Sequence, residues 1–257
     1  MAELPDLSAF AKTLNHKFKN RTLTELEIRQ GKKLNVSEKA LKTALENHKL
    51  TRVERAGKTL QFHFGKDRIL GIHLMLRGEL QEIGADQPLP KHTILAFHFS
   101  KNGFALTDSL KQATPTLNPA ENHVPDALEI SEAELESLLS RRKKTIKEVL
   151  MDQKAIRGIG NSYGDEILWA ARISPLSTSN KIPEQDIKKL HQSITKTLRQ
   201  AIADIEKENG TELHGELRDF MKVHGSSLKT SPTGAPIKST KIAGRTAYYT
   251  DEQQLFT

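Results

Sequence analysis

The chain of 257 residues has no cysteine, so disulfides, a thiolate zinc site and a cysteine nucleophile are all excluded. It also lacks any apolar run approaching ~18 residues, which excludes a bilayer-spanning helix. The opening MAELPDLSAFAKTL carries Glu3 and Asp6 and has neither a basic leader nor an apolar signal core, so a cytoplasmic protein is expected. Internal repeats and low-complexity blocks are missing too. Charge of one sign is only mildly in excess: 39 Lys and Arg against 32 Asp and Glu give +7. That balance favours a polyanionic partner without separating DNA from RNA.

What is present divides into three parts. Leu7, Phe10, Ala11, Leu14 and Phe18 recur at helical spacing after Pro5, predicting an amphipathic helix over 5–18 behind a short free arm. A second helix is expected after Ser37 as cap, with Leu41 and Leu45 on one face. Strand periodicity then dominates to residue 112, through Leu60, Phe62 and Phe64, then Leu70, Ile72, Leu74 and Leu76, then Leu95, Phe97 and Phe99. Asn102-Gly103 reads as a type I′ hairpin turn. This half, 1–115, is predicted as an antiparallel β-sandwich with flanking helices.

Three prolines and two asparagines between Ala113 and Asp126 mark a linker. A helical domain over 127–222 follows, with helices near 131–140, 143–157, 163–172 and 183–208. The remainder, 223–257, is basic and loop-rich and is expected to end in a hairpin. The fold class is therefore α+β.

The most specific local pattern is MDQKAIRGIGNSYGDEI, residues 151–167. Gly158 and Gly160 permit close backbone approach, and the turn presents N–H groups at the start of the next helix, with Asn161 beside them. Lys154 lies just upstream, behind the run RRKKTIK at 141–147, so cations and amides are able to converge on one phosphate backbone. On these residues alone, a phosphate cradle and a tight helix hairpin with a solvated basic face are equally good readings.

Five further segments accompany this pattern in order. DQK...GIGN.Y.DE resembles the helix-two-turns-helix element of the formamidopyrimidine-DNA glycosylase and endonuclease VIII family. MAELPDL resembles that family's ELPE-type opening, RAGKTLQF (55–62) its RxGK strand turn, and IHLMLRG (72–78) its HLxMxG strand. VPDALE (124–129) is similar to its linker and AGRTAYYTDEQQ (243–254) to the end of its zinc finger.

The resemblance implies a nucleotide flipped into a cleft between a β-sandwich and a helical domain. It assigns Ala2 as nucleophile, Glu3 as acid/base group and Lys58 as a catalytic cleft lysine. Lys154, Gly158, Gly160, Asn161 and Arg245 would hold DNA phosphates, with His73 a further candidate, and Leu76 would be an apolar wedge in the duplex. Each residue also has a plainer role available: Glu3 a helix-dipole partner, Lys58 a hairpin charge, His73 a half-buried sheet residue.

Three features depart from the family. Ala2 stands where the nucleophile is usually a proline; its amine, with an ordinary pKa of about 7.7–8.0, retains a neutral fraction near pH 7.5 once Met1 is removed. Thr230, Thr233, Thr250 and Gln253 occupy the four cysteine positions of the finger, so a zincless β-hairpin and no metal are expected. The loop Asp108-Ser109-Leu110-Lys111-Gln112-Ala113 lacks the Arg and Phe of the family's DPRRFG.

The expected function is thus a monomeric base-excision-repair DNA glycosylase with abasic-site lyase activity, needing no cofactor. It would act on damaged DNA, duplex or single-stranded, as a nucleoid-associated protein of bacterial type. The alternative is a catalytically silent damaged-DNA binding protein on the same fold, and a weaker one an RNA-binding module using the glycine turn alone.

Overall fold

The computed structural model describes residues 1–84, 87–213 and 215–257. Contacts divide the chain into two compact units: 1–122 with 205–217, and 123–204 with 218–257. Among the described residues no helix is long and apolar enough to cross a membrane.

In the first unit, α1 (Leu4–Phe18) begins at Glu3 as N-cap, with proline in its first turn and the Asp6 carboxylate accepting the Glu3 N–H at 2.8 Å. Its apolar face, Leu7, Phe10, Leu14 and Phe18, is buried. The residues before it are no free arm: Ala2 is 5% exposed and Glu3 3%. After β1 (Glu25–Ile28), α2 (Glu38–Leu45) starts as expected at Ser37, whose side chain accepts from Ala40 N–H.

Then come β2 (Leu50–Ala56), β3 (Thr59–Phe64), β4 (Ile69–His73), β5 (Gly78–Gly84), β6 (Thr93–Phe99), β7 (Asn102–Asp108) and β8 (Thr114–Leu117). They form two antiparallel four-stranded sheets, ordered β1-β6-β7-β5 and β2-β3-β4-β8. Both sheets contribute to one apolar core, in which Phe62 of one sheet stacks on Phe97 and Phe104 of the other at 6.0 and 5.5 Å between ring centres. The predicted sandwich is therefore present.

Three local expectations change. The β6–β7 turn is Ser100-Lys101, not Asn102-Gly103: Phe99 pairs with Asn102, and Ser100 takes the left-handed conformation at φ 68°. Strand β4 stops at His73, so the alternation does not carry through Leu76. A tight turn, closed by Gly78 N–H to Leu74 O at 2.9 Å, leaves Leu74 buried and Leu76 51% exposed. Only glycine fits at its end, since a Cβ on Gly78 would lie 2.1 Å from the Leu74 oxygen. The stretch expected as linker opens with β8, an edge strand where Pro115 costs no ladder bond.

In the second unit, α3 (Glu132–Ser140) is opened by a Ser131/Glu134 capping box. Next is α4 (Ile146–Met151), far shorter than the 143–157 expected, because Asp152 is extended and its carboxylate takes the Lys154 N–H at 3.0 Å. After α5 (Asn161–Ala170) comes α6 (Glu184–Asn209), whose last turns count with the first unit. The tail ends in a hairpin, β9 (Lys238–Ile242) and β10 (Arg245–Tyr249), turning at Ala243 and Gly244 with φ 48° and 75°.

Candidate nucleic-acid interface and active site

Ala2, Glu3, Lys58, His73 and Leu76 all lie in the first unit, where the Lys58 charge is felt at His73. Lys58 sits in the two-residue turn between β2 and β3, where Gly57 has φ 59° and Ala56 pairs with Thr59. The same hairpin is tied to α1 by Arg55, whose Nε donates to Ser8 Oγ at 3.1 Å. His73 pairs with Thr59 across the sheet. Its Nδ1 accepts the Met75 N–H at 3.0 Å, so the neutral ring is the form that fits. Burial first, and the Lys58 charge second, hold its pKa below the ordinary value.

With Met1 in place, the Ala2 nitrogen is an amide. The terminal ammonium is that of Met1, 2.6 Å from Glu216 Oε1. Met1 and Glu216 line a cleft of about 480 Å³ together with Leu76, Arg77, Gly78, Glu79 and Gly215. A cleft at the chain start with both charge signs on its wall suits a polar extrahelical nucleotide better than an apolar ligand.

The loop after β7 is built on Asp108, which is 1% exposed and accepts from the N–H groups of Leu110, Gln112 and Ala113 at 2.8, 2.7 and 2.8 Å. That scaffold holds Leu110 at 49% exposure.

In the second unit, the glycine turn is ordered from inside by Gln153. Its Oε1 accepts the Gly158 N–H at 2.9 Å, and its Nε2 donates to Ile159 O at 2.7 Å. Gly158 at φ 105° requires glycine, whereas Gly160 is extended and serves as the N-cap of α5. The turn therefore delivers the positive end of a ten-residue helix, with Lys154 exposed beside it. Asn161 Nδ2 donates to Thr246 O at 3.0 Å, which brings the hairpin against the turn and sets Arg245 one residue away.

One member of the basic run is not solvated. Lys147 is fully buried, with Nζ 2.6 Å from Asp165 Oδ1 and donating to Asn161 O at 2.5 Å. The second oxygen of Asp165 accepts the Tyr248 N–H at 3.1 Å and lies 2.6 Å from His224 Nδ1. Glu166, buried next to it, accepts from the N–H groups of Lys222, Val223 and His224. Sequence reasoning missed this pair of acids as scaffolding, although the adjacent Asp-Glu of the motif was in view.

The finger does not suit zinc. Thr233 and Thr250 donate their hydroxyls to Glu252 Oε2 at 2.8 and 3.1 Å. Gln253 is spent on Ile173 O at 2.8 Å and the Thr250 N–H at 2.9 Å. Neutral hydroxyls and an amide aimed at protein partners are poor ligands for a cation that prefers thiolate and imidazole.

The first unit is two-sheeted with a cleft at its first residues, and in the second a glycine turn opens a helix beside a hairpin that carries an arginine, an arrangement whose chemistry suits a polyanion such as a nucleic acid. Family models now place it. The formamidopyrimidine-DNA glycosylase N-terminal domain matches residues 1–114 and the formamidopyrimidine-DNA glycosylase H2TH domain residues 123–212, so the chain belongs to the formamidopyrimidine-DNA glycosylase family. The formamidopyrimidine-DNA glycosylase of Lactobacillus gasseri is 29% identical over 267 residues, covering 95% of each chain. That of Lactiplantibacillus plantarum is 28% identical over 276, covering 99% of each. The Lactococcus lactis enzyme in complex with abasic-site DNA superposes with a TM-score of 0.88 at 26% identity, over 98% of this chain and 99% of that one. Its complex with DNA containing Fapy-dG gives 0.89 at 26% identity over 98% and 99%.

Proposed function

We infer that this chain is a base-excision-repair DNA glycosylase with abasic-site lyase activity. The observation that carries the reading is the match of both family domains in order along the chain, with Glu3, Lys58, Lys154, Asn161 and Arg245 standing in the motifs of that family. We propose the bacterial nucleoid, in the cytoplasm, as its site of action, a reading supported by DNA as substrate and by relatives that are bacterial.

The α-amine of Ala2, freed by loss of Met1, attacks C1′ of the flipped nucleotide, forming an N–C1′ bond as the base departs. Glu3, next in the chain, donates the proton that assists sugar-ring opening to the imine. Loss of a C2′ proton then expels the 3′-phosphate by β-elimination, and water releases the amine from the product. Lys58 supplies positive charge for the phosphates that flank the lesion. Lys154, Asn161, the turn at Gly158 and Gly160, and Arg245 grip the backbone, while Leu76 occupies the gap left in the stack.

Borohydride reduction in the presence of abasic-site DNA tests this. A stable adduct on Ala2, located by peptide mapping, is the expected result. Absence of any crosslink from a verified free Ala2 terminus refutes the lyase step. Binding without a product would leave a damaged-DNA binding protein, and an adduct on Lys58 would relocate the amine.

A further inference from the structure

The base of the hairpin holds an arrangement that inverts the charge logic of a metal finger. One carboxylate oxygen, Glu252 Oε2, lies within hydrogen-bond distance of five donors: Thr233 Oγ1 at 2.8 Å, Arg172 Nη1 at 3.0 Å, Thr250 Oγ1 at 3.1 Å, Trp169 Nε1 at 3.3 Å and Ser231 Oγ at 3.4 Å. These donors come from three separate stretches. Trp169 lies in the last turn of α5 with Arg172 just beyond it, Ser231 and Thr233 belong to the turn before β9, and Thr250 leaves β10. The Ser231 and Thr233 hydroxyls also bond each other at 2.7 Å, and the Arg172 guanidinium lies 4.9 Å over the Trp169 ring. The hydrogen bonds from the threonines, foremost that of Thr233, hold the Glu252 pKa below its ordinary value, as convergent donors should.

We propose that Glu252 is the cross-link of this finger: an anion gathering hydroxyl, indole and guanidinium donors where a metal finger gathers thiolates around a cation. Its role is that of a positioning residue for the hairpin that carries Arg245. Two hydrogen bonds, from Asn161 to Thr246 O and from Tyr248 N–H to Asp165, fix one strand of the hairpin against α5. The turn that leads into the other strand is gathered at Glu252, so the carboxylate adds a hold on that strand beyond its pairing with β10. Because the Glu252 side chain keeps 27% of its surface in water, its donors rehydrate when it is removed. The loss should therefore appear as local disorder of the finger and not as global unfolding.

The inference rests on the reading of Arg245 as a phosphate ligand, and the experiment separates the two. Binding to abasic-site duplex is measured from 50 to 300 mM salt for wild type, Arg245→Ala, Glu252→Ala and the double variant. Trp169, the single tryptophan, provides a fluorescence probe of the cluster itself. Glu252→Ala is expected to weaken binding about tenfold, to lower the slope of log K against log salt by about one unit, and to shift Trp169 emission. Its loss and that of Arg245→Ala should not add. Glu252→Gln, which keeps one acceptor, should recover part of both signals, and EDTA should change none of them. Thr233→Ala/Thr250→Ala serves as a second disruption should Glu252→Ala express poorly.

A merely structural defect would lower apparent affinity equally at all salt concentrations and leave the slope alone. If Arg245→Ala weakens binding while Glu252→Ala keeps wild-type affinity and slope, or if the two losses add, the cross-link proposal is overturned and the functional reading stands. If Arg245→Ala itself has no effect, the reading of the hairpin as a DNA contact fails first.

Discussion

Breaking the Lys147–Asp165 pair should cost far more than removing it whole. Both side chains have no solvent exposure, and their charges meet at 2.6 Å inside the second unit. Lys147→Met keeps the length of the aliphatic stem but strands the Asp165 carboxylate, leaving it only the Tyr248 N–H and His224. An uncompensated buried charge of this kind costs about 3–5 kcal/mol. For a chain of this size that lowers the melting temperature on the order of 10 °C.

Lys147→Met/Asp165→Asn removes both charges, and the amide oxygen introduced at position 165 is still able to accept the Tyr248 N–H. The Asn161 carbonyl then loses the Lys147 donor, worth about 1 kcal/mol. The double variant is thus expected to lie about 2–4 kcal/mol above Lys147→Met, a coupling readable by urea unfolding in a double-mutant cycle. Equal destabilisation of single and double variants, or a cost below about 1 kcal/mol for Lys147→Met, would refute the argument, because it would mean that water reaches the pair.

Other expectations follow from the same geometry. His73 has a lowered pKa, so the unfolded chain takes up its proton first as pH falls; the stability it contributes is complete above about pH 6.5 and declines as the medium becomes more acidic. The stability difference between wild type and His73→Gln, read as urea midpoints at pH 7.5 and 5.5, should therefore shrink at the lower pH; a gap that widens contradicts the assignment. With Leu76 and Leu110 exposed on their loops and no arginine or phenylalanine between Asp108 and Ala113, excision should vary little with the base opposite the lesion. Matched duplexes that differ more than tenfold in rate would disprove this. Lys154→Ala should weaken binding to all duplex sequences alike and reduce the salt slope by about one, as filter binding at two salt concentrations will measure.

The parts of this fold that were legible in the sequence are those governed by periodicity and caps. The apolar stripe after Pro5, the Ser37 cap, the alternating strands and the hairpin around Arg245 all declare themselves within a few residues. Local signals failed where a partner far along the chain decides. Lys147 reads as the last member of a basic run, and only the fold brings Asp165 to it. The alternation at Leu74 and Leu76 looks like a continuing strand, but the Gly78 contact with the Leu74 oxygen breaks it. Of the site, the motif residues are visible through resemblance, whereas the roles of Glu216, Asp108, Glu166 and Glu252 are not, since a carboxylate shows its purpose only through the donors folded around it.

The thiol-free base of the hairpin has a chemical consequence outside binding. A zinc–thiolate knuckle is open to the oxidants that damage DNA, because thiolate sulfur passes through sulfenic to sulfinic and sulfonic acids and releases its metal on the way. Hydroxyls, an amide and a carboxylate have no place on that ladder. A hairpin closed by Thr233, Thr250 and Glu252 is expected to keep its shape in hydrogen peroxide, and the DNA contact proposed for Arg245 is then insensitive to the same stress that makes repair necessary.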